Sequence, residues 1–528
     1  MDVLTTEAAG RRPGAGVTTA AGATTGADAT NGAGATTGAV STTGASSEQR
    51  RWLLALLGAA LLVRIATLGA YPLMDNTEAR YAEIARKIVE TDDWLMPQFK
   101  YGVAFWSKPP LSMWATAISY VLLGVNEFSA RLPSLLESLP MVWMTYALGA
   151  RRDGADVGLR ASVVLVTTPL FLVCSGAVMT DPALVLGTTL SMAGFWQAMH
   201  GTGRVARAWG YAFFVGLAIG LLAKGPVGVV LTLAPVGLWT VWKGGIGNAW
   251  RRLPWWSGLA LTIALAVPWY VLAERRTPGF LDYFLIGEHW KRFTESGWKG
   301  DMFGSAHSRP RGTIWLYALA STLPWSALWI ARLRASRKQG TLDPRSADDG
   351  WRAYLWLWML APAVFFTFAG NILFTYVLPG LPAFALLVGR AWSRAGDRGY
   401  RGAAWRWAGL GTTVVFLLVA LLVAPRVAVS SSHKALVADY LGQRSSAAER
   451  LIYIDEAPQS AEFYARGKVT VAHPDELRRY LEDAPRDFFA LRENSNLTPE
   501  IRARLAPIAQ FGRFTLFEEA RQNDVAPR

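Results

Sequence analysis

Apolar stretches long enough to cross a bilayer recur along this chain, at roughly 52–70, 128–149, 158–178, 182–199, 207–223, 226–243, 254–272, 313–331, 353–369, 373–390 and 405–424. A helix of about 20 residues spans about 30 Å of hydrocarbon, so the pattern predicts about eleven transmembrane helices. A polar loop, 71–127, separates the first two. Within it Glu78, Arg80, Glu83, Arg86, Lys87 and Glu90 fall at helical spacing, and the i to i+4 pairs Glu83–Lys87 and Arg86–Glu90 support one amphipathic helix. The register changes at Pro97. The loop then passes Trp106 and reaches Lys108-Pro109-Pro110, where proline disfavours helix in the residue before it and leaves Lys108 on an extended turn. A second polar loop fills 273–312.

The two ends differ from the middle. Residues 1–50 are imperfect Ala/Gly/Thr repeats, predicted to be a disordered cytoplasmic tail. Arg50 and Arg51 precede a span of full membrane length, so the first helix is expected to stay uncleaved. Residues 51–426 then form the membrane domain. From 427 to 528 no spanning segment remains. Strand-like runs at 451–456, 468–472, 488–493 and 514–519 alternate with helical runs near 458–466, 474–483 and 498–505, predicting a small α/β domain outside the membrane.

Composition agrees with a membrane protein: 52% of the 528 residues are apolar and 17% charged, with 24 Trp and 23 Phe. The formal net charge of +14 does not imply nucleic acid, because the basic residues are scattered between spans and sort by side. Arg151, Arg152 and Arg160, then Arg332, Arg334 and Arg337, then Arg394, Arg398 and Arg401 fall in alternate connections, whereas 179–182 and 370–372 hold no basic residue. Positive residues favour the cytoplasm, and this sorting requires the short run 111–124 to lie along the membrane surface. Asp75, Glu78, Lys108, Asp181, Lys224, the 288–292 cluster, Asn371 and Tyr376 then converge on the outer face, the signature of one site. Asp181, before Pro182, is also a helix-start signal. The loop 273–312 holds seven basic residues against five acidic ones, which calls for an anionic partner such as a lipid phosphate. The lone cysteine, Cys174, supports neither a disulfide framework nor a Cys-based zinc site.

Several of these segments carry a resemblance. D-N-T-E-A-R-Y-A-E-I-A-R-K at 75–87, D-W-L-M-P at 93–97 and F-W-S-K-P-P-L at 105–111 resemble the first loop of polyprenyl-phosphate-sugar-dependent glycosyltransferases of the GT-C type. The bacterial lipid A aminoarabinose transferases are the nearer relatives and the protein O-mannosyltransferases the more distant. T-D-P-A-L at 180–184, K-G-P at 224–226, E-H-W-K-R-F at 288–293 and T-Y-V-L-P at 375–379 are similar to further elements of that family. The resemblance implies a GT-C fold in a bacterial inner membrane, and a site facing the periplasm. It also implies a donor phosphate held by Arg80, Lys108, Lys224, Arg292 and Tyr376, with Tyr81, Asp181, Glu288, His289 and Asn371 lining the site.

Such chemistry needs a base for an acceptor hydroxyl and cations for the leaving phosphate. Asp75 and Glu78 are the candidate bases, and the choice stays open because relatives carry Asp-Glu where this chain has Thr77-Glu78. One carboxylate base and a phosphate leaving group fit inverting displacement. Relatives also read E-K-P where Ser107-Lys108-Pro109 stands; the missing glutamate would pair with His289 at a metal, so no metal or other cofactor is expected. The expected partners are a polyprenyl-phosphate sugar, a lipid, glycan or protein acceptor and membrane lipids, with no nucleic acid. The rival function is a transporter or flippase of a lipid-linked sugar, which would place its ionisable residues near the membrane midplane.

Overall fold

The computed structural model describes residues 46–520 apart from Asn76, Ser305, 339–349, 396–398, Ala484, Asn494 and Asn496. Of the tail expected over 1–50, residues 1–45 lie outside these residues, as does Arg398. Ser47–Arg50, expected to belong to the tail, instead form the first turn of helix α1 (Ser47–Thr67). Ser46 caps it, accepting from the Gln49 N–H at 3.2 Å while its own N–H reaches Gln49 Oε1 at 2.7 Å.

The first loop folds as α2 (Glu78–Thr91), a short hairpin of β1 (Gln98–Lys100) and β2 (Val103–Ala104), and α3 (Leu111–Leu123). Ala79, Ala82, Ile84, Ala85 and Ile88 of α2 pack with Phe105, Met113 and Ala117 in a core of their own. On the charged face of this helix Glu83, Arg86 and Lys87 are buried as well. Lys87 is fully buried, 3.5 Å from Glu83 and 2.9 Å from Glu462 in the C-terminal region. At thirteen residues α3 is shorter than a span, and Ile118, Val121 and Leu122 on it stay exposed while Met113 and Ala117 face protein.

The helical body follows with α4 (Glu127–Asp153), α5 (Ala155–Thr167), α6 (Pro169–Cys174), α7 (Asp181–His200), α8 (Gly203–Lys224) and α9 (Pro226–Trp242). Glycines let α7 and α8 approach closely. A Cβ at Gly187 would lie 2.7 Å from the Gly216 carbonyl oxygen. Trp351, Trp358, Trp325 and Trp392 fill the interior, while Leu62, Trp143, Leu238, Trp256 and Leu316 are exposed, so an apolar surface surrounds an apolar interior as in a protein bathed in lipid.

Among the described residues four helices are long and apolar enough to cross a membrane: Gly203–Lys224, Trp255–Arg276, Phe374–Ala395 and Gly402–Ser431. The pair Thr313–Ser321 and Trp325–Lys338, bent by 95°, makes a fifth if counted as one span. The expected count of about eleven is therefore not reached by length and apolarity. Several expected spans are helices that are broken, as α5 and α6 are, or short, as α9 is at 17 residues, or interrupted by charge, as α4 is.

Gly402–Ser431 ends a few residues beyond the expected boundary at 426. The chain then forms a five-stranded sheet of β3 (Leu451–Ile454), β4 (Val469–Ala472), β5 (Phe488–Arg492), β6 (Leu505–Phe511) and β7 (Phe514–Glu519), in the order β4-β3-β5-β7-β6. The β3 strand pairs in parallel with β4 and β5, while β7 runs antiparallel to β5 and β6.

Candidate active site

Three helix ends and two loops meet around a cavity of about 470 Å³. Lys224 is the last residue of α8. Gly225, at φ 80°, turns the chain into α9, and a Cβ there would meet the Phe284 ring at 2.6 Å and His289 Nε2 at 3.0 Å. The K-G-P element thus needs its glycine twice, for the left-handed turn and for room. Asp181 opens α7 but does not cap it. Its Oδ1 accepts from Lys224 Nζ at 2.7 Å, and no described residue donates to Oδ2. The lysine lies over the Tyr376 ring, 4.9 Å from its centroid.

The second loop contributes a π-helix, Tyr283–Lys291, which carries Glu288 and His289 and ends where Arg292 begins a last helical turn. Glu288 Oε2 takes Lys108 Nζ at 2.7 Å, and both its oxygens stand 3.1 Å from Arg292. Arg292 also reaches Asp301 at 3.0 Å. Burial alone raises the Glu288 carboxyl, but Lys108 and Arg292 outweigh it and hold the pKa at about 2. Burial lowers the Lys108 ammonium, with Glu288 opposing and Arg292 adding to the fall. Lys108 is fixed from its own side by the Ser107 carbonyl at 2.7 Å and hydroxyl at 3.0 Å. His289 stands between the Phe284 and Lys224 carbonyl oxygens, at 2.8 and 3.1 Å, which favour the imidazolium. Burial and Lys108 prevail, and its pKa falls below the ordinary value.

Asn371 acts as a brace. Its amide donates to the Arg292 and Glu295 carbonyls at 2.6 and 2.8 Å and accepts from the Gly297 N–H at 3.1 Å. Tyr376 stacks on Phe366, centroids 4.3 Å apart, and neither its hydroxyl nor that of Tyr81 bonds any described residue. Arg80 bonds the Phe303 carbonyl.

Ten of the sequence-predicted residues line this one cavity: Arg80, Tyr81, Lys108, Asp181, Lys224, Glu288, His289, Arg292, Asn371 and Tyr376. The two candidate bases do not. Asp75 Oδ1 and Oδ2 accept from the N–H and hydroxyl of Ser460, each at 2.7 Å, and burial raises its pKa against those two bonds. Glu78 is gripped by Arg131 at 3.0 and 2.8 Å, beneath the loop. Between them in sequence, Thr77 reaches the wall instead.

Sequence reasoning missed Thr77, Ser107 and His307, which also line the cavity. A histidine in A-H-S-R-P carries no motif that would single it out. Apart from Thr180 and Thr375 the remaining wall is apolar, with Leu184, Val227, Val230, Leu231, Phe365 and Leu373. No group of three His, Cys, Asp or Glu among the described residues fits a metal ion. At the position where a glutamate would complete a pair with His289 stands Ser107, a poor ligand, so no catalytic step is assigned to a metal.

The chain is similar to several known proteins. A family model described as dolichyl-phosphate-mannose-protein mannosyltransferase matches residues 46–284. The undecaprenyl phosphate-alpha-4-amino-4-deoxy-L-arabinose arabinosyl transferase 1 of Pseudomonas fluorescens is 30% identical over 350 residues, 64% of this chain and 58% of its own length. The corresponding transferase of Pseudomonas aeruginosa is 30% identical over 65% of this chain and 60% of its own length. The chain thus spans about three fifths of the curated relatives it matches. In structure, ArnT from Cupriavidus metallidurans bound to undecaprenyl phosphate superposes with a TM-score of 0.75 at 20% identity, covering 90% of this chain and 99% of that one. Its apo state gives 0.72.

The chain is a helical membrane protein of the GT-C fold. It is similar to the aminoarabinose transferases, in fold over 90% of its length and in sequence over 64%.

Proposed function

We propose that this chain is an integral membrane glycosyltransferase. It moves a sugar from a polyprenyl-phosphate carrier to an acceptor hydroxyl, on a lipid, glycan or protein, at the outer face of the membrane. One observation carries the reading: a single cavity joins lysine, arginine and tyrosine side chains to an apolar wall. A phosphate on an isoprenoid tail has the same division of polar head from greasy body. Undecaprenyl phosphate, in the names of the relatives and in the ArnT crystal structure, is a molecule of that kind.

As the bond from the anomeric carbon to the phosphate oxygen breaks, its electron pair moves to that oxygen. Lys108, Arg292 and Lys224 stabilise the charge that develops there. The acceptor oxygen attacks the opposite side of the anomeric carbon, which inverts. Its proton goes to Asp181, the cavity carboxylate with an oxygen that no described residue occupies. Glu288 is committed to Lys108 and Arg292, and Asp75 and Glu78 are held outside the cavity. Lys224, bonded to the other Asp181 oxygen, keeps the base oriented.

The test uses the full chain in membranes with a labelled polyprenyl-phosphate sugar and envelope extract as acceptor. The wild type should release free polyprenyl phosphate. Asp181→Asn should lose at least about a hundredfold in that release while keeping donor affinity, the range expected for a lost general base. Movement of intact donor across the membrane, with no release, sinks the transferase reading in favour of a flippase.

A further inference from the structure

We infer that Glu78, the candidate base found outside the cavity, is a positioning residue: it fixes the buried segment that delivers Asp181 to the site. The inference rests on the assignment of Asp181 as the base. It gives Glu78 a part in the reaction that needs no contact with substrate.

Residues 175–180 join α6 to α7 without helical structure, and all of them are buried except the half-buried Met179. Buried backbone of this kind must find its hydrogen bonds among its neighbours. The N–H groups of Ser175, Gly176 and Ala177 turn back on the Phe171, Val173 and Cys174 carbonyls, at 2.8, 3.4 and 3.4 Å. The next one, on Val178, leaves the segment and donates to Glu78 Oε1 at 3.3 Å. The Val178 side chain enters the α2 core alongside it, so backbone and side chain are both fastened to the first loop. From α4 the Ser134 hydroxyl donates to the Ala177 carbonyl at 2.7 Å. Met179, Thr180 and Asp181 follow directly, and all three line the cavity.

Glu78 is itself anchored. The fully buried Arg131 donates to Oε1 at 3.0 Å and to Oε2 at 2.8 Å. A carboxylate offers about four acceptor positions, so Oε1 can take the guanidinium and the Val178 N–H together. Thr77, the preceding residue, lines the same cavity. One carboxylate thus holds two stretches of its wall, 77–81 and 179–181, at a set separation. A base needs that constancy, because it must stand within about 2.6–3.2 Å of the group whose proton it takes.

Glu78→Asp keeps the charge on a side chain about 1.5 Å shorter. The guanidinium stays with it, and the longer bond, to Val178, is the one lost. Turnover is read in the purified full chain in lipid nanodiscs, as polyprenyl phosphate released from a labelled polyprenyl-phosphate sugar with envelope extract as acceptor. It is counted per site that binds labelled polyprenyl phosphate. Glu78→Asp should lower kcat at least about tenfold, as a displacement of about 1 Å in a reacting group does, while carrier affinity holds within about twofold. Added to Asp181→Asn it should cost nothing beyond Asp181→Asn alone. Ser134→Ala loosens the same segment from α4 and leaves the Glu78–Arg131 pair whole. It should lower kcat in the same way, and Ser134→Thr should restore it. Where Glu78→Asp binds no carrier, Ser134→Ala carries the test. An unchanged kcat, or a loss that multiplies with that of Asp181→Asn, overturns the inference and leaves Asp181 as the base. Near-normal turnover in Asp181→Asn removes the base assignment and this inference with it.

Discussion

Lys108, Glu288 and Arg292 form one buried unit, with side-chain exposures of 16%, 1% and 16%. Removing either cation leaves Glu288 half-paired in a poorly screened place, where breaking such a pair costs about 3–5 kcal/mol. Lys108→Ala and Arg292→Ala should therefore each cut transfer by about two orders of magnitude or more, with little rescue at low salt. Arg292→Lys should stay impaired, because Nη1 alone holds Glu288 and Asp301 while the rest of the planar fork is left for a phosphate, and an ammonium has one nitrogen for both tasks. The exposed Arg309→Ala should cost about 0–1 kcal/mol and respond to salt. The acid response follows from the same unit. A carboxyl held at about 2, below its ordinary value of about 4.3, contributes stability that is complete above the ordinary value and is lost as the pH falls toward the lower one. Donor binding should thus persist through pH 4 in the wild type, and Lys108→Ala should move its acid loss upward, as read by carrier binding against pH. These residues were legible in the sequence because each sits in a short motif beside a proline, a glycine or a helix end. Asp75 and Glu78 were misplaced because their partners lie 385 and 53 residues away, a distance over which residue types give no direction.

At the scale of elements, the first loop is held between α4 below and the C-terminal sheet region above. Arg131 on α4 ties Glu78 and the Leu68, Tyr71 and Pro72 carbonyls at 2.7–3.0 Å. From the other side Ser460 holds Asp75, Tyr464 accepts the Leu73 N–H at 2.8 Å, Glu462 pairs with Lys87, and Phe463 enters the α2 core. This seam explains how Asp75 serves the site without touching it: it sets the start of α2, from which Thr77, Arg80 and Tyr81 reach the cavity. Ser460→Ala should then raise the donor KM severalfold per folded molecule, since one such bond contributes about 1 kcal/mol. Ser460→Thr should restore it, and Ser460→Ala with Asp75→Ala should cost no more than Asp75→Ala alone. Full activity in Ser460→Ala beside a dead Asp75→Asn would return Asp75 to the role of base. Most elements here were readable from periodicity, including α2 and four of the five C-terminal strands. The hairpin of β1 and β2 was too short to show a pattern, and β6 was hidden by Pro507, which sits on an edge strand where its missing N–H costs nothing.

For the whole molecule, the membrane character is written in composition, but the number of crossings is not. Helices packed against protein can keep charge and breaks that lipid-facing spans exclude, so α4, which carries Arg131 and Glu137, and α5, which stops after thirteen residues, fail a test that Trp255–Arg276 passes. The cavity gathers its wall from Thr77 through Pro379, and the seam adds residues as late as Tyr464. That closure has a consequence for biogenesis. Nearly all the side chains of the site have been synthesised by residue 379, yet the loop that carries Thr77, Arg80 and Tyr81 is not fastened until Ser460 has left the ribosome and the sheet region has folded against it. A chain stopped at Ser431 should insert and resist protease as a membrane protein but release no carrier phosphate. Supplying residues 432–528 later as a separate polypeptide should restore release only when they dock, which would make the last fifth of the chain the checkpoint that keeps an unfinished site silent.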